Sequence, residues 1–198
     1  MRKIEPKAIV LFSLLTVMNV IANAAFCLLL YQFIKVPRQA LYFIMPITFY
    51  LSNTLTFKGV FYYLKFPLHD IDKDSAEDFA FQMYVLYYLI FFNFFIQNSF
   101  LPVPILRFYH QMLGAKFGAG SYSAGHIMDP PYVEIGCNTL IGFGAVLTSH
   151  ALEGENVVFE KIKVGDHVTI GLNAMIMPGV TIEDNAIVAA GALIIKNT

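Results

Sequence analysis

Val164–Asn197 reads VGDHVTIGLNAMIMPGVTIEDNAIVAAGALIIKN, and an aliphatic residue returns at every sixth position: Val164, Ile170, Ile176, Ile182, Val188, Ile194. A helix turns every ~3.6 residues and a strand alternates faces, so neither repeats at six. The fourth residue after each aliphatic position is also restricted. Val168, Ala174, Val180, Ala186 and Ala192 are all small or β-branched. Self-similarity at a fixed short period marks a solenoid. Each hexapeptide supplies one short strand and one turn, with the aliphatic side chain pointing to the axis and the small residue letting the chain corner. Three such sides close a triangular coil, and coils stack at about 4.8 Å. No coil buries its apolar face alone, so stability comes from neighbour on neighbour.

Upstream the same register appears at Ile135, Ile141 and Leu147, with Thr139 and Ala145 in the small slot. It then breaks after His150 and resumes at Lys163. Leu147 and Val164 are 17 residues apart, close to three hexapeptides, so the expectation is a deformed coil. The intervening Ala151–Glu160 carries Glu153, Glu155 and Glu160 and reads as a polar excursion from the solenoid wall. Loops held on rigid scaffolds are where sites are usually built.

The first half differs in kind. The chain of 198 residues is 57% hydrophobic and 14% charged, against roughly a quarter charged in ordinary globular proteins. The excess lies in three apolar runs, Ala8 to Ile34, Leu41 to Tyr63 and Phe79 to Phe100, each enough for the roughly 20 residues that cross a bilayer. A cleaved signal sequence fits the first poorly, because its apolar core exceeds the usual length of about 7–15 residues. Asn19 and Asn23, four apart, share a helical face and are expected to meet other helices. Between the later runs, Lys65 to Asp78 reads as a solvated loop in which Asp74 or Ser75 caps the next helix. Asp70, Asp72 and Asp74 alternate, but Ser75 and Phe81 stand where a calcium loop needs glycine and glutamate. No metal site is expected. Cys27 and Cys137 form no short-range framework, and a net charge of −1 gives no sign of nucleic-acid binding.

The division expected is therefore a membrane helical region over 1–113, of two or three spans plus a juxtamembrane helix, and a β-helix over 114–198. Three spans would put Arg2, Lys3 and Lys7 outside if the β-helix is cytosolic, against the positive-inside tendency. One run is then expected not to span. The second is the candidate, since Asn53, Thr54, Thr56 and Lys58 interrupt it.

The stretch from Val164, with its "PGV" at Pro178–Val180 and closing "AAGALI", resembles the hexapeptide-repeat acyltransferases, a left-handed parallel β-helix family that includes the maltose, galactoside and serine O-acetyltransferases. "RFYHQMLGAKFGAGSY" from Arg107 is similar to the entry segment of capsule and colanic-acid type acetyltransferases. The resemblance covers about Arg107 to Asn197. It implies that His150, in "LTSHALEGE", is the catalytic base, a role suited to a side chain of near-neutral pKa. It further implies an acceptor contact at Asp129; His126, beside it in "SAGHIMDPPY", is a second candidate for the acceptor. Asp129 could equally initiate the turn at Pro130–Pro131. The donor, acetyl-CoA, would lie along Leu172, Ala190 and Lys196 in a groove between subunits of a homotrimer. Thr169 and Ile195 depart from the tryptophan and threonine common at those places. His167 falls at a turn position of its hexapeptide.

The expectation is thus an integral membrane acyltransferase of the bacterial inner membrane, with its β-helix facing the cytoplasm, acting on a hydroxyl or amine of an envelope glycan, a lipid-linked molecule or another membrane-proximal acceptor. Two alternatives stand beside it: a non-catalytic trimeric membrane scaffold, and a zinc carbonic anhydrase of the β-helix class.

Overall fold

The computed structural model describes residues 3–97, 101–153 and 156–195. The first apolar run forms α1 (Pro6–Leu29), prolonged by a π-helical turn over Leu30–Ile34, and the second forms α2 (Arg38–Leu64). Pro6 opens α1 where its missing N–H has no helical partner to lose. The two helices run antiparallel, and their polar residues meet between them. Asn19 Nδ2 donates to Asn53 Oδ1 at 3.3 Å and to Thr56 Oγ1 at 3.0 Å, while Ser52 Oγ donates to Asn19 Oδ1 at 3.1 Å. Further along, Thr48 Oγ1 donates to Asn23 Oδ1 at 2.6 Å. Asn19 and Asn23 therefore face another helix, as expected. Of the polar residues in the second run, Asn53 and Thr54 are buried, whereas Lys58 is exposed.

Lys65 to Asp78 is more ordered than a solvated loop. It contains β1 (His69–Ile71), whose Ile71 is buried. Ser75 caps α3 (Ala76–Tyr87), its Oγ accepting the Asp78 N–H at 3.0 Å. Asp78 in turn accepts from Asp74 N and Gln82 Nε2, so the acidic residues here serve a helix start. α3 continues through a π-helical turn, Tyr88–Phe92, into α4 (Asn93–Gln97), and α5 (Val103–Leu113) follows. Rings from α1, α2 and α3 form one aromatic core. Phe12 meets Tyr87 edge-on at 5.0 Å, and Phe57 packs on Phe92 at 5.1 Å.

The solenoid begins with β2 (Lys116–Phe117), β3 (Tyr122–Ser123), β4 (His126–Ile127), β5 (Val133–Ile135), β6 (Leu140–Ile141) and β7 (Val146–Leu147). A hairpin of β8 (His150–Glu153) and β9 (Asn156–Phe159) interrupts it. It resumes with β10 (Ile162–Val164), β11 (Thr169–Ile170), β12 (Met175–Ile176), β13 (Thr181–Ile182), β14 (Ile187–Val188) and β15 (Leu193–Ile194). Three four-stranded sheets form the walls, in the orders β13-β10-β5-β2, β14-β11-β6-β3 and β15-β12-β7-β4, all with parallel pairing. The aliphatic register is the core. Leu147, Ile170, Ile176 and Ile182 are buried, and Ala145, Val168, Ala174 and Val180 fill the corners. One corner turns through a left-handed residue in every coil: Gly120, Asn138, His167 and Asn185 have φ of 72°, 53°, 57° and 63°. His167 is a turn residue, as the register implied.

The interruption is not a deformed coil. Val164 lies 18 residues before its stacked partner Ile182 but 29 after its other partner, Ile135. Eleven residues are therefore inserted at a single corner, and the coils on either side stack without a break. Nor is the insertion simply a polar loop. β8 and β9 pair antiparallel, and β1 from the helical half pairs with β9, with His69 opposite Phe159 and Ile71 opposite Val157. Val157 and Phe159 are fully buried in the aromatic core of the helices.

α5 closes the first coil. Leu106, Tyr109, His110 and Leu113 recur at helical spacing and all point inward, and His110 stacks on Phe117 at 6.4 Å. Burial, together with nearby His126, lowers the His110 pKa to about 4, so this imidazole is neutral at physiological pH.

Candidate functional site

The first coil departs from the hexapeptide rule at the corner above the hairpin. Ser123 and Ile127 are four apart, and Ile127 and Ile135 eight apart. The longer side holds a 3₁₀ turn, Pro130–Tyr132, begun at Asp129. Stacking then fixes what lies beneath. Met128 N donates to Leu147 O at 3.0 Å, which sets Asp129 over Ser149 and His150, the residues leaving the second coil. Asp129 Oδ2 accepts the Ser149 N–H at 2.9 Å and lies 2.7 Å from His150 Nδ1. Asp129 is 1% exposed, and the His150 side chain keeps 28% of its surface open.

A carboxylate at Nδ1 holds the proton on that nitrogen and leaves Nε2 as the basic atom. Burial draws the His150 pKa down, whereas the hydrogen bond and charge of Asp129 push it up, and the net shift is upward. The ring is also fixed sideways. Phe159, directly opposite across the hairpin, packs on the imidazole at 5.3 Å, and Tyr132 stacks on Phe159 at 4.8 Å. The Tyr132 hydroxyl donates to the Pro67 carbonyl, tying this wall to the helical half. Asp129 thus does more than initiate a turn. Its second oxygen, Oδ1, is buried without a hydrogen-bond partner.

Leu172 and Ala190 come together at a different corner. They line one groove of about 450 Å3 with Tyr122, Leu140 and Thr169. Gly171 permits the close stacking here, since a Cβ on it would lie 2.5 Å from Ala190 N. A second cleft of about 400 Å3 runs beside the hairpin, between Ala151, Val158 and Glu160 on one side and Met177, Pro178 and Ile195 on the other. Within one chain, the Leu172 groove and the His150 hairpin occupy successive corners of the prism. Lys196 lies outside the described residues. His126 is directed elsewhere, with Nδ1 3.0 Å from the Ile96 carbonyl at the end of the third helix. It joins the solenoid to the helices and makes no bond to the Asp129–His150 pair.

Sequence reading missed the residues that buttress the pair: Tyr84, Tyr132 and Phe159. The signal for Phe159 was present in "NVVF", a β-branched and aromatic stretch of the kind that forms strands. Nothing local marks Tyr84, whose place depends on how α3 docks.

The hexapeptide repeat of succinyl-transferase matches residues 161–196. YvoF of Bacillus subtilis (strain 168), named provisionally as an acetyltransferase, is 39% identical over 71 residues, which are 36% of this chain and 41% of that protein. Galactoside O-acetyltransferase of Escherichia coli (strain K12) is 38% identical over 79 residues, 36% of this chain and 38% of that enzyme. The chain therefore spans well under half the length of these relatives. Among solved structures, the hexapeptide-repeat acetyltransferase VCA0836 of Vibrio cholerae, also solved with acetyl coenzyme A, is similar with a TM-score of 0.41 and 22% identity over 43% of this chain; the match covers 51% of that chain in the complex. Residues 161–196 thus carry the hexapeptide repeat, within a solenoid of three parallel sheets.

Proposed function

We propose that the protein is a membrane-anchored, acetyl-CoA-dependent acyltransferase in which His150 is the general base. The observation that carries this reading is the buried Asp129 carboxylate on His150 Nδ1, set where the hairpin leaves a hexapeptide-repeat solenoid. The acceptor hydroxyl or amine attacks the thioester carbonyl while His150 Nε2 takes its proton. Collapse of the tetrahedral intermediate expels the CoA thiolate, which the imidazolium reprotonates. Asp129 holds the ring and balances the positive charge in between. His126, whose Nδ1 faces the Ile96 carbonyl, is a secondary candidate for the acceptor side. Leu172 and Ala190 remain the donor side, and a left-handed wind of the solenoid is assumed with the family.

Because His150 and the Leu172 groove occupy different corners of one chain, a site using both is shared between subunits. That supports a homotrimer. Outward-facing Tyr122, Leu140 and Ile187 give one wall an exposed apolar surface, unlike the wall that carries Lys116, Glu134 and Lys163. Native mass spectrometry in mild detergent should give a trimer as the main species; a monomer at micromolar concentration would exclude the shared site.

Among the described residues, three helices are long and apolar enough to cross a membrane. They are not equivalent, because Ala76–Ile96 has half of its apolar window buried, against 11% for Pro6–Ile34 and 17% for Arg38–Leu64. We assign the two spans to α1 and α2, with α3 packed between that pair and the solenoid. The amino terminus and the β-helix then share the cytoplasmic face of the bacterial inner membrane, which agrees with Arg2, Lys3 and Lys7 near that end. With Cys27 and Cys137 replaced by serine, a cysteine at Val36 should react with an impermeant maleimide on intact cells. One at Glu183 should react only after permeabilisation. The reverse pattern would refute the assignment. A site at the bilayer surface suits an envelope-glycan or lipid-linked acceptor.

A further inference from the structure

The helical half does more than anchor. Tyr84, on α3, reaches the solenoid, where its hydroxyl donates to the Met128 carbonyl at 3.2 Å. Met128 precedes Asp129, so this bond fixes the backbone from which the carboxylate projects. The Tyr84 ring meets Phe159 edge-on at 6.1 Å and 87°, and Phe159 is the ring packed on His150. Tyr84 thus touches both supports of the pair, the backbone just before the carboxylate and the ring holding the imidazole. It is 4% exposed and stacks on Tyr88 at 6.1 Å.

The electrostatics agree with this geometry. Asp129 Oδ1 is buried with no hydrogen-bond partner, and the charge of Asp129 reaches the Tyr84, Tyr88 and Tyr132 hydroxyls. The Tyr84 hydroxyl bonds to Met128 O and lies beside the Asp129 carboxylate, whose charge and hydrogen bonding oppose ionisation of the phenol. A donor beside a buried carboxylate disperses its charge and weakens its hold on the partner imidazolium. The other ionisable groups facing this corner are His150 itself, Tyr88 from the π-helical turn, Tyr132 from the 3₁₀ turn, and His69, opposite Phe159 on β1.

We propose that Tyr84 is a positioning residue for the Asp129–His150 pair, so that the third apolar helix, which lies outside the repeat, forms the back wall of the catalytic site. It sets how strongly the carboxylate holds the imidazole. The inference rests on the reading of His150 as base, yet it is tested separately. The readout is the titration of the His150 imidazole, followed by NMR in detergent-solubilised full-length protein, which needs neither acceptor nor turnover.

Tyr84→Phe removes the donor and keeps the ring. The His150 midpoint should move up by about half a pH unit or more, and the acidic limb of the rate profile should move with it. Tyr87→Phe on the same helix removes a buried phenol that does not sense Asp129 and should leave the midpoint unchanged. A Tyr84→Phe midpoint equal to that of the unsubstituted protein, or an equal displacement in both variants, overturns the proposal. Should Tyr84→Phe not fold, the unsubstituted protein decides. The labelled Tyr84 ring carbon signal should shift through the His150 midpoint, and a signal flat across that range overturns the proposal. If His150→Ala kept full turnover, the base would be wrongly assigned whatever Tyr84 does.

Discussion

His150→Ala is expected to lower acyl transfer by about two to four orders of magnitude while leaving the affinity for acetyl-CoA nearly unchanged. The groove proposed for the donor is lined by Leu172 and Ala190 at another corner of the prism, and His150 of the same chain is not among its lining residues. Rate should also depend on pH with a definite sign. His150 acts as a base only when neutral, so turnover falls as pH drops through its pKa, which Asp129 raises. In Asp129→Asn the supporting charge is gone, and the acidic limb should move to lower pH even as the rate falls. The same shift has the opposite consequence for stability: a raised folded pKa contributes stability below the unfolded value, about 6.5, and loses it as pH rises through the folded pKa. Activity and stability should therefore respond to pH in opposite directions around this residue. A His150→Ala enzyme with near-normal turnover would remove the base from the mechanism.

Phe159→Ala should cost about 3–5 kcal/mol of stability, the largest expected effect of a single substitution in the fold. The ring is fully buried and touches Phe81, Tyr84, Tyr132 and His150, so truncation opens a cavity where the helical core, the hairpin and the Asp129–His150 pair meet. Replacing Ala151–Glu160 by a tight turn should likewise destabilise the protein, because it removes Val157 and the pairing of β9 with β1. The sequence alone led to the opposite expectation, a solenoid indifferent to its excursion. Denaturation of Phe159→Ala in mild detergent, followed by near-ultraviolet circular dichroism, measures the loss. A change below about 1 kcal/mol, the ordinary range for point substitutions, would mean that the ring is not a joint between the halves.

The solenoid was legible because its rule is local. An aliphatic side chain at the axis and a small one at the corner must recur in every coil, so Ile170 and Ala174 announce their own places. His150 was legible as the residue at which the rule stops. The insertion was not, because 17 residues between Leu147 and Val164 is nearly one coil in length, and only the pairing of Val164 with Ile135 distinguishes an added hairpin from a distorted turn. Glu153, Glu155 and Glu160 drew attention to polarity, although the alternate residues Val157 and Phe159 carry the packing. Asp129 could be placed near His150 by counting residues. Its bond to Nδ1 depends on the long side of the first coil, between Ile127 and Ile135, where the hexapeptide rule fails. Tyr84 and Ile71 were beyond reach for a further reason: each acts through an element distant in sequence, and no periodicity within α3 or β1 encodes that docking.

Both alternatives to acyl transfer make contrary demands. A zinc enzyme would gather histidines, whereas His126 is bound to Ile96, His167 occupies a left-handed turn, and His150 is paired with a carboxylate. A scaffold that only trimerises would need no donor groove. Equilibrium binding of acetyl-CoA to detergent-purified full-length protein therefore tests the central claim most directly, since it requires no knowledge of the acceptor. The account predicts saturable binding of one molecule per subunit, retained in His150→Ala and weakened by a bulky residue at Ala190; absence of saturable binding by a folded trimer would contradict it.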